Sequence, residues 1–197
     1  YNTGIGISTL DALTSGDRNV AVGALAGTNI SSGGSNTLVG SNAGDALTTG
    51  SHNIAIGHNA LGAEDGNGRN VAIGYQALLV QNAGADAYNI AIGYNTGVAV
   101  STGIRNIIIG AEAGDALTTG DYNVAIGHEA LSTEDAHGRN VAIGYRALRD
   151  MDAGTDAYSV AIGYLAGENI STGTQNTLIG GLAGDGLTTG ADNTAVG

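Results

Sequence analysis

"GRNVAIGY" stands at Gly68–Tyr75, and the same eight letters return 70 residues later at Gly138–Tyr145. The glycine that closes "NVAIG" recurs well beyond these two copies. Counterparts of Gly74 fall at Gly6, Gly23, Gly40, Gly57, Gly93, Gly110, Gly127, Gly144, Gly163, Gly180 and Gly197. Successive anchors lie 17 residues apart, except for 19 between Gly74 and Gly93 and between Gly144 and Gly163. Three intervals of 17 and one of 19 make the 70-residue block. The chain is a short repeat nested in a longer one, with eleven complete units. Such periods mark stacked, quasi-one-dimensional folds.

The columns of the repeat give the unit its shape. Asn stands four residues before every anchor but one, where Ser159 replaces it. The residue three before is Val, Ile or Thr, and the residue one before is Ile or Val. Between them sits mostly Ala, with Gly4, Leu38, Ile108 and Leu178 as exceptions. This β-branched phrase predicts a strand of about five residues. After the anchor, the third position is Ala or Thr and the fourth is Gly or Leu. The seventh is usually apolar, as at Leu13, Ile30, Leu47, Val100, Leu117, Met151, Ile170 and Leu187. A second, weaker strand or extended segment is expected after the anchor, closed by a turn rich in Gly, Asn and Asp.

Two straight segments per unit predict one coil of a parallel β-solenoid, with coils stacked at about 4.8 Å into a rod of about 50 Å. The insertions in "GADAYN" (Gly84–Asn89) and "GTDAYS" (Gly154–Ser159) are expected to bulge from one turn. The Asn column is expected to form an amide ladder, each side chain bonding to the next. A helical period is absent, and glycine recurs too often for helix.

Composition agrees with this fold class. There are 35 Gly, no Pro, no Cys, no Trp and no Phe, yet 42% of residues are hydrophobic. That content argues against disorder, and small β-branched residues suit a thin, flat core. The net charge of −12 argues against nucleic acid and against an anionic membrane surface. No apolar run approaches the roughly 20 residues of a spanning helix, and no signal peptide is visible. Zero Cys excludes a disulfide framework. Residues 1–197 read as one array, a piece of a longer one.

Two columns gather the aromatics. Immediately before the Asn column, His52, Arg69, Tyr88, Arg105, Tyr122, Arg139 and Tyr158 alternate aromatic with arginine. Immediately after the anchor come His58, Tyr75 and Tyr94, then His128, Tyr145 and Tyr164 one block later. In-register coils would place guanidinium between rings and ring against ring. The strip reads as a ladder fixing register between coils, with a sugar-binding strip as the functional alternative.

Other motifs carry less. "EDGNGRN" (Glu64–Asn70) and "EDAHGRN" (Glu134–Asn140) hold paired acids near Arg. They lack the alternating acids of a known calcium loop and read as solvated turns. His58 and His128 could join His52 or Glu129 at a metal, but a ladder role accounts for them. No Cys nucleophile and no "GxSxG" phrase is present. No catalytic residue, cofactor or metal is assigned, and an enzyme is not expected. "IGYQAL" (Ile73–Leu78) resembles one unit of the hexapeptide acyltransferases, although 17 is not a multiple of six. An ice-binding face would use Thr14–Ser15, Ser31–Ser32 and Thr48–Thr49, but Asp65–Gly66 and Asn82–Ala83 interrupt that series.

Residues three and one before the anchor point one way from the strand and the residue between them points the other. Both sets are apolar, so both faces are expected to be buried. One enters the coil's own core; self-association is the simplest cover for the other.

"NVAIGY", "NIAIGH" and "SVAIGY" (Asn70–Tyr75, Asn53–His58, Ser159–Tyr164) resemble the head repeats of trimeric autotransporter adhesins and related repeats of bacteriophage tail fibres. The coil is longer than the usual head coil of that family. The resemblance implies three parallel left-handed β-rolls packed as a homotrimer, extracellular at a cell surface or on a virion fibre. It also implies attachment to a host-surface glycan or protein through a tip outside these residues.

Overall fold

The computed structural model describes Tyr1–Gly197. It is an all-β solenoid with one twelve-stranded parallel sheet, strands following chain order from Thr3–Ile5 to Thr194–Val196. There is no helix, and so none long and apolar enough to cross a membrane. Each strand pairs with the next in unshifted register, as in Val71 with Ile90, Ala72 with Ala91 and Ile73 with Ile92.

The strands are three residues long, not five. Backbone conformation sets the limit at both ends. The residue before each Asn is left-handed, as at Arg69 (φ 64°) and Arg105 (φ 58°), and the anchor glycine has φ between 127° and 145°. The expected second straight segment is a tight succession of turns instead. The second residue after each anchor is left-handed, and so is the fourth, as at Leu25 (φ 60°) and Gly27 (φ 56°). Two such residues so close together cannot lie in an extended segment. The turns nonetheless hold the stack together: of 114 backbone hydrogen bonds, only 22 lie within the strands.

The Asn column stitches coil to coil, mainly through the backbone. At every step from Asn2 to Asn193 the side-chain oxygen accepts from the backbone N–H of the next residue in the column, with Ser159 Oγ taking the role at its position. The amide nitrogen usually donates to a carbonyl of the next coil, as from Asn36 to Gly50 (2.9 Å). Within the column, direct amide-to-amide bonds join only Asn36 to Asn19 and Asn193 to Asn176. The expected amide ladder is therefore largely a side-chain-to-backbone ladder.

The core is thin and aliphatic, with 31 buried residues in one cluster. The strand centre points inward and is buried, while its two neighbours face out and are half exposed in most strands. Within one chain, then, only one strand face is covered. The insertions bulge as expected: Gly84 and Gly154 are exposed and a Cβ on either would meet nothing within 4 Å.

The 70-residue block is a period of core filling. Fourth after the anchors stand Gly27, Gly44, Leu61, Leu78, Gly97, Gly114, Leu131, Leu148, Gly167 and Gly184, two glycines alternating with two leucines. Leu38, Ile108 and Leu178 occupy the strand centres flanked by glycine on both sides. A Cβ on Gly27 or Gly44 would sit 2.7 or 2.9 Å from a Leu38 methyl, and the other two pairs behave alike. Every interior strand centre with a leucine flank is Ala.

Candidate functional site

Stacking the coils in register brings the two aromatic columns together as rows on the surface. Tyr75 and Tyr94 stack with centroids 5.3 Å apart and planes 11° apart, and Tyr145 and Tyr164 at 5.4 Å and 13°. His128 stacks on Tyr145 at 5.6 Å, while His58 meets Tyr75 tilted by 31°. In the other column, Arg69 lies over Tyr88, Arg105 over Tyr122, and Arg139 over both Tyr122 and Tyr158, at 5.3–5.6 Å. Arg105 also donates to the Tyr122 hydroxyl. His52 shares this column but stacks on no ring.

The rings face along the rod, so most faces are taken by neighbours. Carboxylates that the sequence reading did not place complete the rows. Asp86 pairs with Arg69 and Asp156 with Arg139, both from the inserted "DAY" turns one coil on. Arg146 sits over Tyr145 at 5.0 Å and donates to Glu129 (2.5 Å). That bond holds the Glu129 carboxyl below its ordinary pKa and raises Arg146. Glu112, His128 and Glu129 form one acidic cluster, but its Glu129 and His128 are engaged by Arg146 and Tyr145.

If the rows fix register, Arg105→Ala and Tyr122→Ala each lower thermal stability and couple by about 0.5–1 kcal/mol in a double-mutant cycle. Unchanged melting with lost attachment to cells would make the strip a binding site instead.

The Thr and Ser series is engaged in stacking. Thr14, Ser31 and Thr48 each donate a hydroxyl to the carbonyl of the next residue in the column, at 3.0–3.2 Å.

The paired-acid turns differ from the solvated reading. Asp65 and Asp135 are exposed, but Glu64 and Glu134 are fully buried in the mostly apolar seventh column. Glu64 accepts from the Asn67 backbone N–H (3.2 Å), whereas the equivalent N–H of Gly50 or Gly103 donates to a carbonyl of the next coil. Its pKa is pushed up, chiefly by burial and further by Asp65, against the pull of the Asn67 bonds.

Above the raised folded-state pKa, the native chain carries the full desolvation cost of this carboxylate. Below the ordinary value of about 4.3 both states are protonated and the cost is gone. Gln81 occupies the same column one coil later, so the site accepts an amide. Glu64→Gln is therefore expected to stabilise the chain by about 1–2 kcal/mol near neutral pH. Denaturant melts should show that gain fading as pH falls through the window.

No family model matches the chain, and neither the curated proteins nor the solved structures contain a significant match. The single chain has no cavity.

Proposed function

We propose that the chain is a structural fibre or adhesin module, a rigid rod that assembles as a homotrimer for surface attachment or host recognition. One observation carries this reading: the outward strand face is a largely apolar stripe, with Ile or Val one residue before every anchor and Thr among the Val and Ile of the other outward row. Val20, Ile54, Ile56, Ile107, Ile162 and Ile179 are each 36–41% exposed on it. Strand rise and spacing make the stripe about 10 Å wide and 55 Å long, or about 500 Å². Patches of several hundred Å² on soluble proteins mark interaction surfaces. A parallel sheet in unshifted register is matched in length and pitch by further copies of itself.

The resemblance of "NVAIGY" to trimeric adhesin heads and tail-fibre repeats supports three as the number. The remaining surface is acidic and repetitive, so tight receptor recognition is assigned to a tip outside these residues. An extracellular location follows from the same reading.

Light scattering on the purified chain should give three times its mass of 19.3 kDa. Ile107→Glu, on the outward face, should yield a folded monomer with unchanged β-sheet circular dichroism. A wild-type chain that remains a soluble monomer at high concentration would overturn the proposal.

A further inference from the structure

The two copies of the 70-residue block build the same turn with different chemistry. In the first copy the turn carries Glu64, Asp65 and Asn67, with Asn82 one coil on; in the second the equivalent residues are Glu134, Asp135, His137 and Asp152. Two carboxamides have become an imidazole and a carboxylate. One donor atom from each of the four second-copy residues lies within 4.8 Å of the other three.

Four further features single out this place. Glu134 is fully buried, and its Oε2 has no hydrogen-bond partner. His137 Nδ1 is likewise buried and unpartnered, 3.4 Å from Glu134 Oε1. In the first copy the Asn70 amide nitrogen reaches Glu64 Oε2 at 3.5 Å, whereas the equivalent Asn140 Nδ2 has no partner. Asp135 and Asp152 are consecutive members of a column that carries Asp65 and Asn82 in the first copy and, at Ser101 and Ser171, hydroxyls bonded to carbonyls. They put like charges one strand spacing apart, which is unfavourable unless a cation lies between them.

We propose that Glu134, Asp135, His137 and Asp152 bind one divalent transition-metal ion, with zinc the best match to this set of one imidazole and three carboxylates. Imidazole disfavours magnesium and calcium, and four donors suit a tetrahedral ion. Zinc bonds of about 2.1 Å place donors about 3.4 Å apart. The exposed Asp135 and Asp152 side chains can close that gap by rotating onto the fixed Glu134 and His137. The ion joins the coil that ends at Gly144 to the widened coil that follows it. There the close-packed glycine of other coils, such as Gly120 and Gly103, is replaced by His137 and Asp156.

The experiment is calorimetric titration of zinc chloride into the metal-stripped 197-residue chain, with melting curves in zinc and in chelator. One zinc per chain is expected, with a chelator-sensitive rise of several degrees in melting temperature and no response to magnesium. The double variant His137→Asn with Asp152→Asn restores the first-copy residues, which this fold already accommodates. It should melt like the native chain in chelator and take up no zinc. Asn67→His with Asn82→Asp should raise the stoichiometry from one to two. Absence of saturable uptake by the native chain overturns the proposal. Uptake unchanged in the His137/Asp152 variant also overturns it, placing the ion elsewhere, such as at Glu112, His128 and Glu129. A stoichiometry that stays at one in the Asn67/Asn82 variant overturns the sufficiency of the four side chains.

Discussion

Gly74→Ala is expected to prevent folding. A Cβ built on Gly74 would lie 2.0 Å from the carbonyl oxygen of Gly93 and 2.6 Å from its carbon. Both atoms are backbone, so no side chain can swing aside. The residue also sits at φ 139°, where L-residues are strained. To admit the methyl, two coils would have to part by more than 1 Å, roughly the shortfall from ordinary contact, and the hydrogen bonds between them would break. A loss above about 4 kcal/mol follows, in the range reserved for severe core or backbone clashes. Gly84→Ala is the control. Its φ is 71°, but a Cβ there meets nothing within 4 Å, so only conformational strain of about 1–2 kcal/mol remains. Circular dichroism melts compare the two. A Gly74→Ala chain that melts close to the native one would show that coil spacing is elastic.

That glycine was the most legible feature of the sequence, and its invariance has this steric cause. The solenoid, the unshifted register and the bulging insertions also followed from spacing alone. Strand length did not, because left-handed conformations at residues such as Arg69, Leu25 and Leu78 leave no mark in a propensity pattern. Those residues are ordinary strand or helix formers, forced into place by the hydrogen bonds of neighbouring coils.

The aromatic rows could be read in advance, since any column in register must stack. Asp86 and Asp156 were missed because each reaches an Arg one coil away, yet the spacing of 17 residues to Arg69 and Arg139 was the signal. Glu134 was hidden in a different way. An acid next to Asp and Gly looks like a solvated turn, and only its place in the seventh column, between Leu117 and Met151, shows that it is interior. The difference between the two blocks at Asn67 and His137 was visible as a substitution, but its neighbours were not.

The size rule in the core makes the second large prediction. Ile108→Ala empties the space between Gly97 and Gly114 and should cost about 2–4 kcal/mol, the usual penalty for deleting a buried aliphatic side chain. Gly114→Leu should also destabilise, by about 1–3 kcal/mol through overpacking, because a Cβ there already lies 3.2 Å from Ile108 Cγ2. The backbone itself accepts leucine: Leu61 and Leu131 hold the same position at φ 54° and 52°, beside 52° for Gly114. Together the two changes should largely cancel. The new alanine would have Gly97 on one side and leucine on the other, as Ala91 has Gly97 and Leu78. Ala125 would gain leucine on both sides, as Ala72 and Ala142 have already. The double variant is expected within about 1 kcal/mol of the native chain, a coupling of at least about 2 kcal/mol between residues in contact. Denaturant midpoints for the four chains measure it. Additive losses would mean that the strand-centre alanines are small for a reason other than the leucines beside them, and that the 70-residue period is not a packing period.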